Sequence, residues 1–110
     1  MTIDWDRVED LKDEIGPEDF DEVVELFLEE VDEVITRLKA SPPIDKLEED
    51  MHFLKGSAMN LGFASFASLC EKGETAARNG QAAEIDLAAV LQNYDTAKGE
   101  FLACGAQRPA

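Results

Sequence analysis

The stretch His52-Phe53-Leu54-Lys55-Gly56-Ser57-Ala58-Met59-Asn60-Leu61-Gly62 holds the only histidine of the chain and reads as the middle and end of an amphipathic helix. Apolar residues recur at Ile44, Leu47, Met51, Leu54, Ala58 and Leu61, in steps of three and four, as one buried helical face requires. At about 100° per residue, His52 lies roughly 120° from the centre of that face. Its own stripe is Asp45, Glu48, His52, Gly56, Met59 and Phe63. Gly56 therefore falls one turn beyond His52, where a glycine costs about 1 kcal/mol of helix stability relative to alanine. A lone histidine is ordinarily a surface residue, and a lone helical glycine ordinarily marks close packing. Here both occur with Lys55, displaced from His52 by about 60° and one turn, so its ammonium reaches an anion on the imidazole. That combination suits a dianion placed on a ring nitrogen.

The pattern predicts five helices and no strand. Ile3, Trp5, Val8, Leu11 and Ile15 mark a short first helix, ended by Gly16-Pro17. Pro17 opens a second, where Glu18, Asp19 and Asp21 complement the positive end of the helix dipole. Phe20, Val23, Val24, Phe27, Val31, Val34, Ile35 and Leu38 line its inner side, with Arg37 and Lys39 near the end and Ser41-Pro42-Pro43 as the break. The third helix carries His52 and ends near Gly62. Ser65 is the expected cap of a fourth, with Phe66, Leu69, Cys70, Gly73 and Ala76 inward and Asn79-Gly80 as the stop. A fifth is expected from about Ala83 to Leu102. Short connections between long amphipathic helices predict an all-α, up-and-down antiparallel four-helix bundle with an additional short N-terminal helix.

At 110 residues the chain supports one core, burying roughly 65% of its unfolded surface. Residues 1–104 read as one domain and 105–110 as a frayed tail. The formal net charge of −15, with pI near 4.2, disfavours nucleic acid and anionic membranes, which are bound by clustered Lys and Arg. It also disfavours close self-association, so a monomer is expected. No apolar run approaches 18 residues, and Met1-Thr2-Ile3-Asp4-Trp5 lacks the character of a signal peptide. Cys70 and Cys104 make no metal spacing with the single histidine. Cys70 falls on an apolar face, as a reduced core thiol of a cytoplasmic protein would.

The run His52-x-Leu54-Lys55-Gly56-Ser57-Ala58-x-x-Leu61-Gly62-Phe63 closely resembles the signature of histidine-containing phosphotransfer (HPt) domains, the phosphate carriers of two-component phosphorelays. Leu69-Cys70, Arg78-Asn79-Gly80 and the long acidic helix extend the resemblance over nearly the whole chain. It implies that His52 is the phosphoacceptor, Lys55 a charge on the phosphate and Gly56 the residue that keeps access to His52 open. The matching positions also imply that Glu74 orients the imidazole and Arg78 adds a second charge. Glu74 departs from those members that carry Gln there. The implied partners are response-regulator receiver domains and a hybrid sensor histidine kinase. Mg²⁺ is expected in the receiver and no cofactor in this chain. Leu11, Ile15, Met59 and Phe63 are the candidate docking residues.

Histidine is a competent nucleophile near neutral pH, and phosphoryl transfer asks a protein mainly for positioning and charge. No Gly-rich nucleotide loop and no Walker motif is present, so another protein must supply the phosphoryl group. Two other readings stay open at this stage. One is the phosphoacceptor hairpin of a histidine kinase, in which an acid usually follows the histidine where Phe53 stands here. The other is a receiver-binding or acidic interaction module that never carries phosphate.

Overall fold

Gly62 turns the chain between the two helices that carry His52 and Glu74. The structure is a computed structural model that describes residues 2–40 and 44–105. They form α1 (Trp5–Ile15), α2 (Pro17–Ala40), α3 (Leu47–Leu61), α4 (Ala64–Arg78) and α5 (Leu87–Gly105). Short 3₁₀ turns at Ile44–Lys46 and Ala82–Glu84 precede α3 and α5, and no strand occurs among the described residues. Helices α2 to α5 make the up-and-down bundle, and α1 packs against α2 and α3.

Gly62 has φ +80°, a left-handed conformation that glycine adopts without a Cβ penalty. The Phe63 N–H then donates to the Ala58 carbonyl at 2.8 Å, closing the end of α3. The Asp4 N–H donates to the Gly62 carbonyl at 2.7 Å, which lays the start of the chain over the α3–α4 turn. The Asp4 carboxylate in turn accepts from the Arg7 N–H and caps α1.

Polar contacts fix how the other helices meet. The buried Asp50 of α3 takes two hydrogen bonds, 3.0 and 2.8 Å, from the Arg37 guanidinium of α2. Asp32 of α2 accepts from the Tyr94 hydroxyl at 2.6 Å and from Lys98 at 2.7 Å, both on α5. Partial burial pushes the Asp32 carboxyl up, but hydrogen bonds from Lys98 and Tyr94 outweigh it and hold it below its ordinary value. Between α3 and α4 the backbones approach closely: a Cβ on Gly73 would lie 2.9 Å from the Met51 sulfur.

The core rows match the sequence pattern at most positions. On α2 the buried set is Phe20, Val24, Leu28, Val31, Ile35 and Leu38, while Phe27 and Val34 only pack against it. Leu28 was absent from the expected row. Phe63, Phe66, Tyr94 and Phe101 form an aromatic cluster, and Trp5 stacks on Phe101 with centroids 6.0 Å apart.

Three boundaries differ from expectation. Phe63, not Ser65, stands at the cap of α4 and offers no side-chain hydrogen bond, because Gly62 turns the chain and Phe63 is drawn into the core. Helix α5 begins at Leu87 instead of Ala83, since Asp86 accepts from the Ala89 N–H at 3.1 Å and starts the helix there. The end of α5 reaches Gly105, inside the segment expected to fray. The expected break at Ser41-Pro42-Pro43, the tail at 106–110 and the side chains of Ile44 and Cys104 lie outside the described residues.

Candidate functional site

The antiparallel α3–α4 hairpin sets His52 opposite Glu74 and Glu48 opposite Arg78. Glu74 is 5 % exposed and is the hub of the cluster. Its Oε2 lies 2.8 Å from Nδ1 of His52 and accepts from Nη2 of Arg78 at 3.1 Å. Its Oε1 accepts from the Lys55 ammonium at 2.6 Å. Arg78 also reaches across to Glu48, with Nε 3.3 Å from Oε2. The structure thus gathers His52, Lys55, Glu74 and Arg78 into one hydrogen-bonded network, which Gly56 does not join.

The hydrogen bond from Lys55 is the main influence on the Glu74 carboxyl. Burial opposes it, but Lys55 and His52 together hold the group below the ordinary carboxylate value. Glu74 is therefore ionised at neutral pH and can only accept. Nδ1 of His52 is thus the donor in this contact, and Nε2 is the ring nitrogen that the contact leaves uncommitted. The His52 side chain is 70 % exposed, so Nε2 is open to a partner. This is an oriented, accessible imidazole whose carboxylate partner also binds two cations.

Gly56 is exposed, and a Cβ built on it would meet nothing within 4 Å. The glycine therefore serves no close packing within the domain, and the surface one turn from His52 is bare. On α3 the exposed large apolar side chains are Met59, 60 % exposed, and Phe53, 37 % exposed. Phe53 was not among the expected docking residues. Its signal was a large apolar side chain off the buried stripe of α3.

Two of the expected docking residues are corrected. Leu11 and Phe63 are core residues, 6 % and 1 % exposed, and offer no surface to a partner. Leu11 is covered because α1 turns its apolar stripe onto the bundle, and Phe63 because the Gly62 turn directs it inward. Ile15 is half-buried and packs against the core. Met59 alone of the four is well exposed.

Among the described residues, no group of three His, Cys, Asp or Glu side chains is placed to hold a metal ion. Burial pushes the Cys70 thiol up to about 12, so it stays protonated and chemically quiet. No helix among the described residues is long and apolar enough to cross a membrane.

No curated protein and no solved structure matches the chain at a significant level. The family model described as Hpt domain matches residues 22–106, a span that takes in α3 and α4 whole and with them every residue of the His52 network. With that match over most of its length, the chain belongs to the Hpt domain family, the histidine phosphotransfer modules of phosphorelays.

Proposed function

We propose that this domain carries a phosphoryl group on Nε2 of His52, taking it from the phosphoaspartate of one receiver domain and passing it to the aspartate of another. The observation that carries the reading is the 2.8 Å contact between Nδ1 of His52 and the Glu74 carboxylate, on a ring that is otherwise exposed. Nε2 attacks phosphorus in line. The Nε2–P bond forms as the P–O bond to aspartate breaks, and the aspartate leaves with the electron pair. The imidazole keeps its Nδ1 proton and becomes positively charged, and the Glu74 carboxylate balances that charge. Lys55 and Arg78 supply cations for the phosphoryl oxygens, as a loose transition state requires.

Mg²⁺ arrives with the receiver, and the domain acts as a carrier and not as an enzyme. A hybrid sensor kinase and a response regulator are the partners, met in the cytoplasm by a monomeric domain. Phe53, next to His52 in sequence, and Met59, two turns further along α3, provide apolar contacts to the receiver.

The test is incubation with phosphorylated receivers, followed by ³¹P NMR of the domain. Wild type should acquire one acid-labile, base-stable phosphate, and His52→Ala should acquire none while folding normally. Phosphate on the variant, or none on wild type with any receiver that binds it, overturns the carrier reading. Binding without transfer would identify a docking module instead.

A further inference from the structure

A groove of about 840 Å³ runs between α1, α2 and α5, and none of its lining residues belongs to the His52 network. Phe20, Val24 and Leu28 form its floor along α2, spaced by one turn each, and Phe101 continues the floor on α5. Its lining runs along α2 from Pro17 to Asp32, roughly 22 Å at 1.5 Å per residue. That is the length of a helix of about fifteen residues and is too elongated for a compact metabolite. At the rim Leu102 is 52 % exposed, an apolar side chain that the domain itself leaves uncovered.

Charge selects the occupant. Asp21, Glu25 and Glu29 follow the floor residues by one position, so a row of exposed carboxylates borders the apolar strip for two turns. Lys98 is taken by Asp32, so it does not neutralise that row. The groove also shows how a cation sits in it: the Lys12 ammonium lies 5.9 Å from the centroid of the Phe20 ring. A second copy of this chain, with net charge −15, would meet the carboxylates with more carboxylates.

We infer that this groove docks a basic amphipathic helix of a partner protein, its apolar side chains against half-buried Trp5 and exposed Leu102 over the floor of Phe20, Val24, Leu28 and Phe101, and Lys or Arg on Asp21, Glu25 and Glu29. This is a helix-in-groove mode on a face separate from the phosphorylation site, and it does not depend on the phosphotransfer reading.

Trp5 is the only tryptophan and lines the groove, so its fluorescence reports occupancy directly. The full chain is titrated with a designed peptide of about sixteen residues, leucines at helical i, i+4, i+7 and i+11 spacing and lysines beside them. A shuffled peptide of identical composition is the control for bulk attraction to an acidic protein. A saturable change in Trp5 emission with the amphipathic peptide, at least about tenfold tighter than the shuffled one, is expected. Glu25→Lys with Glu29→Lys should weaken binding about tenfold, and Leu102→Ser should weaken it with the charge intact. All three positions are exposed, so the fold should survive, as circular dichroism would check. Equal binding of both peptides, or unchanged binding by the charge-reversed variant, overturns the inference. So does sedimentation showing that the chain dimerises through the groove, which would make a second copy the occupant.

Discussion

The Lys55 ammonium and the His52 imidazole share one carboxylate, Glu74, at 2.6 Å and 2.8 Å. On the proposed phosphocarrier reading, the cation for the phosphate is held beside the acceptor imidazole before any phosphate arrives. Lys55→Ala should slow single-turnover transfer from a phosphorylated receiver by roughly tenfold. That is less than loss of a buried oxyanion donor would cause, because this site is open to water. Phosphohistidine should also decay faster, while the circular dichroism spectrum stays the same. Lys55→Arg should recover part of the rate, a planar guanidinium being an imperfect substitute for a point charge. Equal rates for all three proteins would make Lys55 an ordinary surface lysine.

The lowered carboxyl of Glu74 gives the domain a defined acid response. A depressed folded-state value contributes stability that is present above the unfolded-state value, about 4.3 for glutamate, and lost as pH falls through the folded one. Wild type should thus lose stability on acidification, and Glu74→Gln should lose less over the same interval. Urea unfolding at a series of pH values measures this. At neutral pH, the amide oxygen of Glu74→Gln should still accept the hydrogen bond from Nδ1–H and allow transfer, whereas Glu74→Ala should transfer more slowly. Parallel pH curves for wild type and Glu74→Gln would mean that the Glu74 network adds nothing to folding.

Gly56 should separate stability from function. With open space around its missing Cβ, Gly56→Ala adds about 1 kcal/mol of helix propensity and should raise Tm by about 4–6 °C. Gly56→Gln should also fold well but slow transfer, since its side chain would stand on the bare turn beside the imidazole. Thermal melts with single-turnover rates on the same samples decide it. Wild-type transfer by Gly56→Gln would show that this surface is not on the receiver's path.

Gly62 should behave in the opposite way. Alanine there would have to hold φ +80° and place its Cβ 2.7 Å from the Asp4 carbonyl oxygen, which is backbone and cannot swing aside. Gly62→Ala should lose about 2–4 kcal/mol of stability and loosen α1 from the α3–α4 turn. Denaturant unfolding would give the loss, and amide exchange at Asp4 would report the loosening. A stability equal to wild type would mean that the turn can adopt another conformation.

What could be read without the structure was what lies within one helix or at its ends. The placement of His52, Lys55 and Gly56 follows from 100° per residue, and the stop at Gly62 follows from the chemistry of a left-handed cap. The inner rows of α2 to α5 follow from apolar periodicity, and with them the bundle. Family resemblance named Glu74 and Arg78, but helical spacing alone could not join them to His52.

That join is a matter of register between two helices. It depends on the Gly62 turn and on how closely Gly73 lets α4 approach Met51, distances that no single-helix pattern contains. The same limit explains Leu11 and Phe63. An apolar side chain near a site reads alike whether it faces a partner or the core; the packing of α1 on the bundle covered Leu11, and the Gly62 turn sent Phe63 in against Tyr94 and Phe101. Periodicity assigns a residue to a face of its own helix; tertiary packing decides what that face meets, because burial is a property of neighbours distant in sequence.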